Sequence, residues 1–102
     1  MSDLISQHRP RIIELCRKYG LRRLEVFGSA AGDNFDPATS DVDFFYEFAG
    51  AGTDGLADRF FGLKEDLEAL LGRPVDLISA ADATNPYFLL VANRQRTTVY
   101  AA

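Results

Sequence analysis

The sequence predicts an α+β domain in which helices pack on one small mixed β-sheet. Three observations point to it. Two stretches carry apolar residues at helical spacing, at 2–19 and 55–71. Shorter stretches at 22–27, 41–48 and 75–79 are alternating or β-prone. Glycine and proline separate these stretches in alternating order, and apolar faces of both kinds need a partner layer to be buried.

Residues 2–19 read as helix, with Leu4, Ile5, Ile12, Leu15, Cys16 and Tyr19 mostly on one side. Pro10 either kinks this helix or starts its second half, and Gly20 suits the residue after its end. Residues 22–27 alternate and run into a tight turn at Gly28-Ser29. Residues 30–40 hold Gly32, Asp33, Asn34, Pro37 and Ser40 and read as loop. Residues 41–48, Asp-Val-Asp-Phe-Phe-Tyr-Glu-Phe, form the clearest strand. Over 55–71, Leu56, Phe60, Leu63, Leu67, Leu70 and Leu71 make an apolar helical stripe, which Gly72 and Pro74 end. Residues 75–79 form a third strand. Asn85-Pro86 is an N-cap and N1 pair for a last helix over about 86–94, and Thr97 to Tyr100 add a short edge strand.

The 102 residues suit one domain, 1–102, with no linker or internal repeat. The single cysteine, Cys16, cannot form an internal disulfide and fits a reducing compartment. No apolar run approaches the roughly 20 residues that span a bilayer. The start, Met1-Ser2-Asp3-Leu4, has no basic leader ahead of an apolar run, so a cytoplasmic location is expected. The net charge is −4 and the basic residues are scattered (Arg9, Arg11, Arg17-Lys18, Arg22-Arg23, Arg94, Arg96), which argues against direct nucleic-acid binding.

The chemistry concentrates in a few positions. Asp41 and Asp43 are two apart on a predicted strand, so their carboxylates share a face. Two such charges about 4 Å apart repel by roughly 4 kcal/mol at an effective dielectric near 20, and aspartate is disfavoured in strands. Folding does not ask for this pair, but a divalent cation does. Asp76 is second in another strand. If the strands are neighbours it completes a three-carboxylate cluster able to hold two Mg²⁺ ions. Gly28 lets the backbone approach a phosphate, and Ser29 with the free N–H groups after it can donate to one.

With these residues in view, Val26-Phe27-Gly28-Ser29, Ser40-Asp41-Val42-Asp43-Phe44 and Val75-Asp76-Leu77 resemble the nucleotidyltransferase superfamily that includes DNA polymerase beta. The match is closest to its minimal nucleotidyltransferases, the antitoxin partners of HEPN-domain toxins. Arg22-Arg23-Leu24-Glu25, Leu71-Gly72-Arg73-Pro74 and Asn85-Pro86-Tyr87-Phe88 extend the likeness over nearly the whole chain. The resemblance implies the nucleotidyltransferase fold, with Gly28 and Ser29 on the triphosphate of ATP and Asp41, Asp43 and Asp76 on Mg²⁺. Asp76 would also assist deprotonation of the acceptor. It further implies AMP transfer to a tyrosine hydroxyl of a HEPN partner. A chain this short has little room for its own acceptor-binding domain, so a hetero-complex is expected, with a homodimer as an addition to it. One departure stands out: the run after the serine, Ala30-Ala31-Gly32-Asp33, lacks the arginine usual there. Lys64 and Arg73 are candidates to replace its charge. Two other readings follow: a module of the same fold that neutralises a partner by contact alone, and a small-molecule nucleotidyltransferase needing a second subunit.

The remaining residues read more plainly. His8 belongs on a solvated helix face and Cys16 in the core. Phe44, Phe45, Tyr46 and Phe48 are mostly packing. Glu47 is a strand-end charge, and Glu65, Asp66 and Glu68 form a solvated face. Tyr87 to Leu90 divide between core and interface.

Overall fold

A computed structural model describes residues 3–28, 41–50, 55–79 and 96–102. The elements are helix α1 (Asp3–Lys18), strands β1 (Leu21–Phe27) and β2 (Val42–Phe48), helix α2 (Leu56–Leu71), and strands β3 (Val75–Ser79) and β4 (Arg96–Ala101). This is the expected α+β arrangement. The loop at 30–40 and the helix near 86–94, with Tyr87 to Leu90, lie outside the described residues.

Helix α1 runs through Pro10, which therefore does not start a separate second half. Pro10 and Ser6, whose carbonyl loses its i+4 donor, are both exposed, so water can serve that carbonyl. The buried side of α1 is Ile5, Ile12 and Cys16, and burial raises the Cys16 thiol pKa to about 12, making it inert. His8 is half-buried, with Nδ1 2.8 Å from the Leu4 carbonyl, rather than on a solvated face. Gly20 ends the helical segment in the left-handed region (φ 69°).

The sheet order is β3-β2-β1-β4. Strand β2 pairs parallel with β3 and antiparallel with β1, which pairs antiparallel with β4. Alternation sends Leu24, Val26, Val42, Phe44, Val75 and Val99 into one core with Leu63, Leu67 and Leu71 of α2 and the buried side of α1. Residues of opposite parity, among them Phe27, Phe45 and Ile78, form a second, smaller cluster on the other face.

The acidic face of α2 is not simply solvated, as its sequence suggests. Asp66 accepts hydrogen bonds from the Tyr19 hydroxyl and Lys18 Nζ, which join the two helices. Glu68 accepts from the Val75 N–H (3.1 Å) and Lys64 Nζ (3.3 Å) and so fastens α2 to the start of β3. These two donors hold the Glu68 carboxyl below its usual pKa, the backbone N–H more strongly.

The helices meet closely at Gly62. A Cβ there would lie 2.8 Å from a Tyr19 ring carbon and 3.0 Å from its hydroxyl. The ring cannot swing aside without giving up Asp66. Gly62→Ala gains about 1 kcal/mol of helix propensity but overpacks the junction by about 1–3 kcal/mol. The expected result is a net loss of about 1 kcal/mol, read as a melting temperature several degrees lower; a higher one would contradict this packing.

Candidate active site

The ends of four strands define the site. Across the sheet, Arg96 of β4 pairs with Phe27 of β1, Phe27 with Asp43 of β2, and Asp43 with Asp76 of β3. These four residues therefore form one row. Because β2 and β3 are parallel and in register, Asp43 and Asp76 point to the same face, the one opposite the helices. The Val42 N–H donates to the Pro74 carbonyl (3.2 Å), fixing the starts of both strands.

Gly28 follows β1 with φ 72°, and a Cβ there would sit 3.2 Å from Asp43 Oδ2. Only glycine takes this conformation cheaply and leaves the carboxylate its place. Gly28→Ala is expected to cost about 1–2 kcal/mol from the left-handed backbone alone and to displace Asp43 as well. A melting curve checks it; an unchanged midpoint would mean the turn is not held as described.

Asp43 is half-buried, while Asp41, just ahead of β2, and Asp76 are exposed. The Asp43 pKa is pushed up to about 6, first by burial, then by a hydrogen bond with Asp76 and the negative charges of Asp76 and Asp41. Ionising it places a charge in a poorly hydrated, already negative spot. An oxygen-only donor set of this kind suits Mg²⁺, whose charge would reverse that penalty. Among the described residues no group of three or more His, Cys, Asp or Glu side chains is arranged to hold a metal ion. As the chain stands, the site is the Asp43–Asp76 pair with Asp41 beside it.

Likeness to known proteins bears on this geometry. The sequence pattern of the nucleotidyltransferase domain family matches residues 11–100. The chain belongs to this family. As a nucleotidyltransferase it has two relatives in Methanocaldococcus jannaschii, each named a putative protein adenylyltransferase. One is 39% identical over 75 residues, covering 74% of this chain and 76% of the relative. The other is 34% identical over 87 residues, covering 85% and 82%. A solved structure named a putative minimal nucleotidyltransferase superposes with a TM-score of 0.71 at 30% identity, over 93% of this chain and 94% of that one. The same fold occurs in a toxin–antitoxin crystal structure with AMP-PNP, with a TM-score of 0.65 at 21% identity over 92% and 73% of the two chains. It occurs again in a tri-AMPylated Shewanella oneidensis HEPN toxin in complex with its MNT antitoxin (TM-score 0.63, 18% identity, 95% and 72% of the two chains).

Of the nucleotidyltransferase residues singled out in the sequence, Gly28, Asp43 and Asp76 come together, with Asp41 adjoining. Ser29 and the run after it lie outside the described residues. Of the two proposed substitutes for the missing arginine, Lys64 lies away from the carboxylate face. Lys64 pairs with Glu68 on α2, in the layer on the opposite side. Arg73 turns its Nε to the Leu71 carbonyl (3.1 Å) in the bend before β3. The ion pair between Glu25 and Arg96, 71 residues apart, shares the face of Asp43 and is not evident from the sequence. Its one signal was a glutamate inside an otherwise apolar run, Leu24-Glu25-Val26-Phe27.

Proposed function

We propose that this nucleotidyltransferase moves AMP from ATP onto a hydroxyl, that of a tyrosine, on a HEPN-domain partner protein and thereby acts as an antitoxin. The observation that carries the reading is the Asp43–Asp76 pair, in register on parallel strands, with Asp43 set against the Gly28 turn. The relatives named as protein adenylyltransferases support the reaction class. The HEPN toxin complex supports the kind of partner.

In this reading Gly28 and Ser29 cradle the triphosphate with backbone and hydroxyl donors. Asp41, Asp43 and Asp76 hold up to two Mg²⁺ ions. Bound there, Mg²⁺ neutralises charge on the phosphates and on the attacking and leaving oxygens. The acceptor oxygen attacks the α-phosphorus, the bond from that phosphorus to the bridging oxygen breaks, and pyrophosphate leaves. The acceptor's proton passes to the Asp76 carboxylate. The rest of the rate comes from positioning. The sequence Ala30-Ala31-Gly32-Asp33, without arginine, favours a second reading in which the fold neutralises its partner by contact alone.

The test uses ATP labelled at the α-phosphate, Mg²⁺, the full chain and a HEPN-domain protein encoded beside it. Label on the partner that disappears with Asp41→Asn/Asp43→Asn is the expected result. No label from wild type, with tight binding and neutralisation kept by the double variant, would establish the second reading instead.

A further inference from the structure

Glu25 is the only charged residue buried among the described residues, at 7% exposure. Arg96 grips it with both prongs, Nε to Oε2 at 2.8 Å and Nη2 to Oε1 at 2.7 Å. The pair crosses from β1 to β4 just past an irregularity, where β4 has one residue more than β1 between the Leu24 and Glu25 pairings. Bulges of this kind re-aim side chains beside functional sites.

The contacts then lead toward the carboxylates. The Arg96 guanidinium lies over the Phe45 ring, 4.8 Å from its centroid. Phe45 stacks on Phe27 at 4.2 Å and 21°. Phe27 is the Cα partner of Asp43 and immediately precedes Gly28, whose Cα side faces Asp43 Oδ2. An unbroken path of contacts therefore joins the ion pair to the Gly28 turn and the Asp43 carboxylate. A buried ion pair adds little net stability over apolar residues of similar volume, so folding alone does not call for it here.

We propose that Glu25 and Arg96 are positioning residues: their ion pair, acting through Phe45 and Phe27, sets the Gly28 turn against Asp43 so that both engage Mg²⁺-bound nucleoside triphosphate. This rests on the reading of the site as a nucleotide site. Neither side chain needs to touch the nucleotide. The fork geometry matters more than the charge, because a lysine at position 96 can neither make two parallel bonds nor lie flat on a ring.

The test separates folding from positioning. Thermal melting and calorimetric binding of Mg²⁺ with a non-hydrolysable ATP analogue are measured on the full chain, wild type and variants. Glu25→Leu/Arg96→Met is expected to melt close to wild type yet bind about tenfold more weakly or worse, since small misplacements are costly in such sites. Arg96→Lys, which keeps the charge, is expected to bind more than about threefold more weakly. If the double variant does not fold, Arg96→Lys decides. A folded variant that binds within about threefold of wild type overturns the positioning role and leaves the nucleotide site standing. Wild type that does not bind the analogue overturns both.

Discussion

Asp43→Asn is expected to make the protein inactive and more stable at once. At neutral pH the wild-type carboxylate is ionised in a half-buried place beside Asp76 and Asp41. Its folded pKa, about 6, stands above the value near 3.9 of an unfolded aspartate. The folded state therefore binds a proton that the unfolded state does not between about pH 4 and 6, and stability falls as pH rises through that window. Asparagine removes the charge and can still donate to Asp76. Allowing for partial solvent screening, the gain at pH 7–8 is about 1–2 kcal/mol, or roughly 5–10 °C in melting temperature. The gain should vanish near pH 4, where the wild-type carboxyl is already protonated. On the proposed function, transfer of AMP should fall by roughly 10²–10³, the worth of several kcal/mol of metal-mediated charge stabilisation. On the same reading, wild-type activity should rise with pH through about 6, as the carboxylate ionises and could hold a divalent cation. A melting temperature lowered by Asp43→Asn at neutral pH would mean that no such tension exists.

The largest loss of stability is expected from Arg96→Met alone. It leaves Glu25 buried with only Arg23, whose Nη1 is 3.7 Å away. Breaking a buried pair from one side costs about 3–5 kcal/mol; with the Arg96 side chain 26% exposed, about 2–4 kcal/mol is reasonable. For a chain of this length that lowers the melting temperature by about 10 °C or more. Replacing Glu25 by leucine as well should recover most of it. The pH dependence follows from the hydrogen bonds and charge of Arg96, which hold the Glu25 carboxyl below its usual range. That contribution is present above the unfolded value near 4.3 and is lost as pH falls through the lower folded value. Between pH 5 and 3 the wild type should therefore lose stability more steeply than the double variant. Equal slopes would show that the pair contributes nothing.

These two residues also show what the sequence could and could not convey. The placement of Asp43 was legible because its pattern is local: parity with Asp41 gives the face, and Asp76 sits at the matching place in a strand, 75–79, whose start was readable from Gly72 and Pro74 and whose body from Val75, Leu77 and Ile78 after them. The glycine at 28 was legible for a similar reason, being the end of an alternating strand. Arg96 was not. It lies 71 residues from Glu25 in the chain, and only the order β3-β2-β1-β4 and the irregular β1–β4 register bring the two together. Strand order is set by tertiary packing, which no local pattern records. The same holds for Asp66 and Glu68, which look like a solvated helix face until Tyr19, Lys18 and Val75 are seen against them. Pro10 left two readings open, a kink or the start of a second half; the helix is continuous across it, because on an exposed face water can replace the lost bond while Ile5, Ile12 and Cys16 pack on either side.

One measurement bears directly on the carboxylate pair. A crystal of the full chain grown with Mn²⁺ and a non-hydrolysable ATP analogue would locate the metal by its anomalous signal. A peak within coordination distance of both Asp43 and Asp76 is expected, with the phosphates lying over the Gly28 turn. A nucleotide and metal bound elsewhere, or a nucleotide bound there with no metal between those two side chains, would contradict this site.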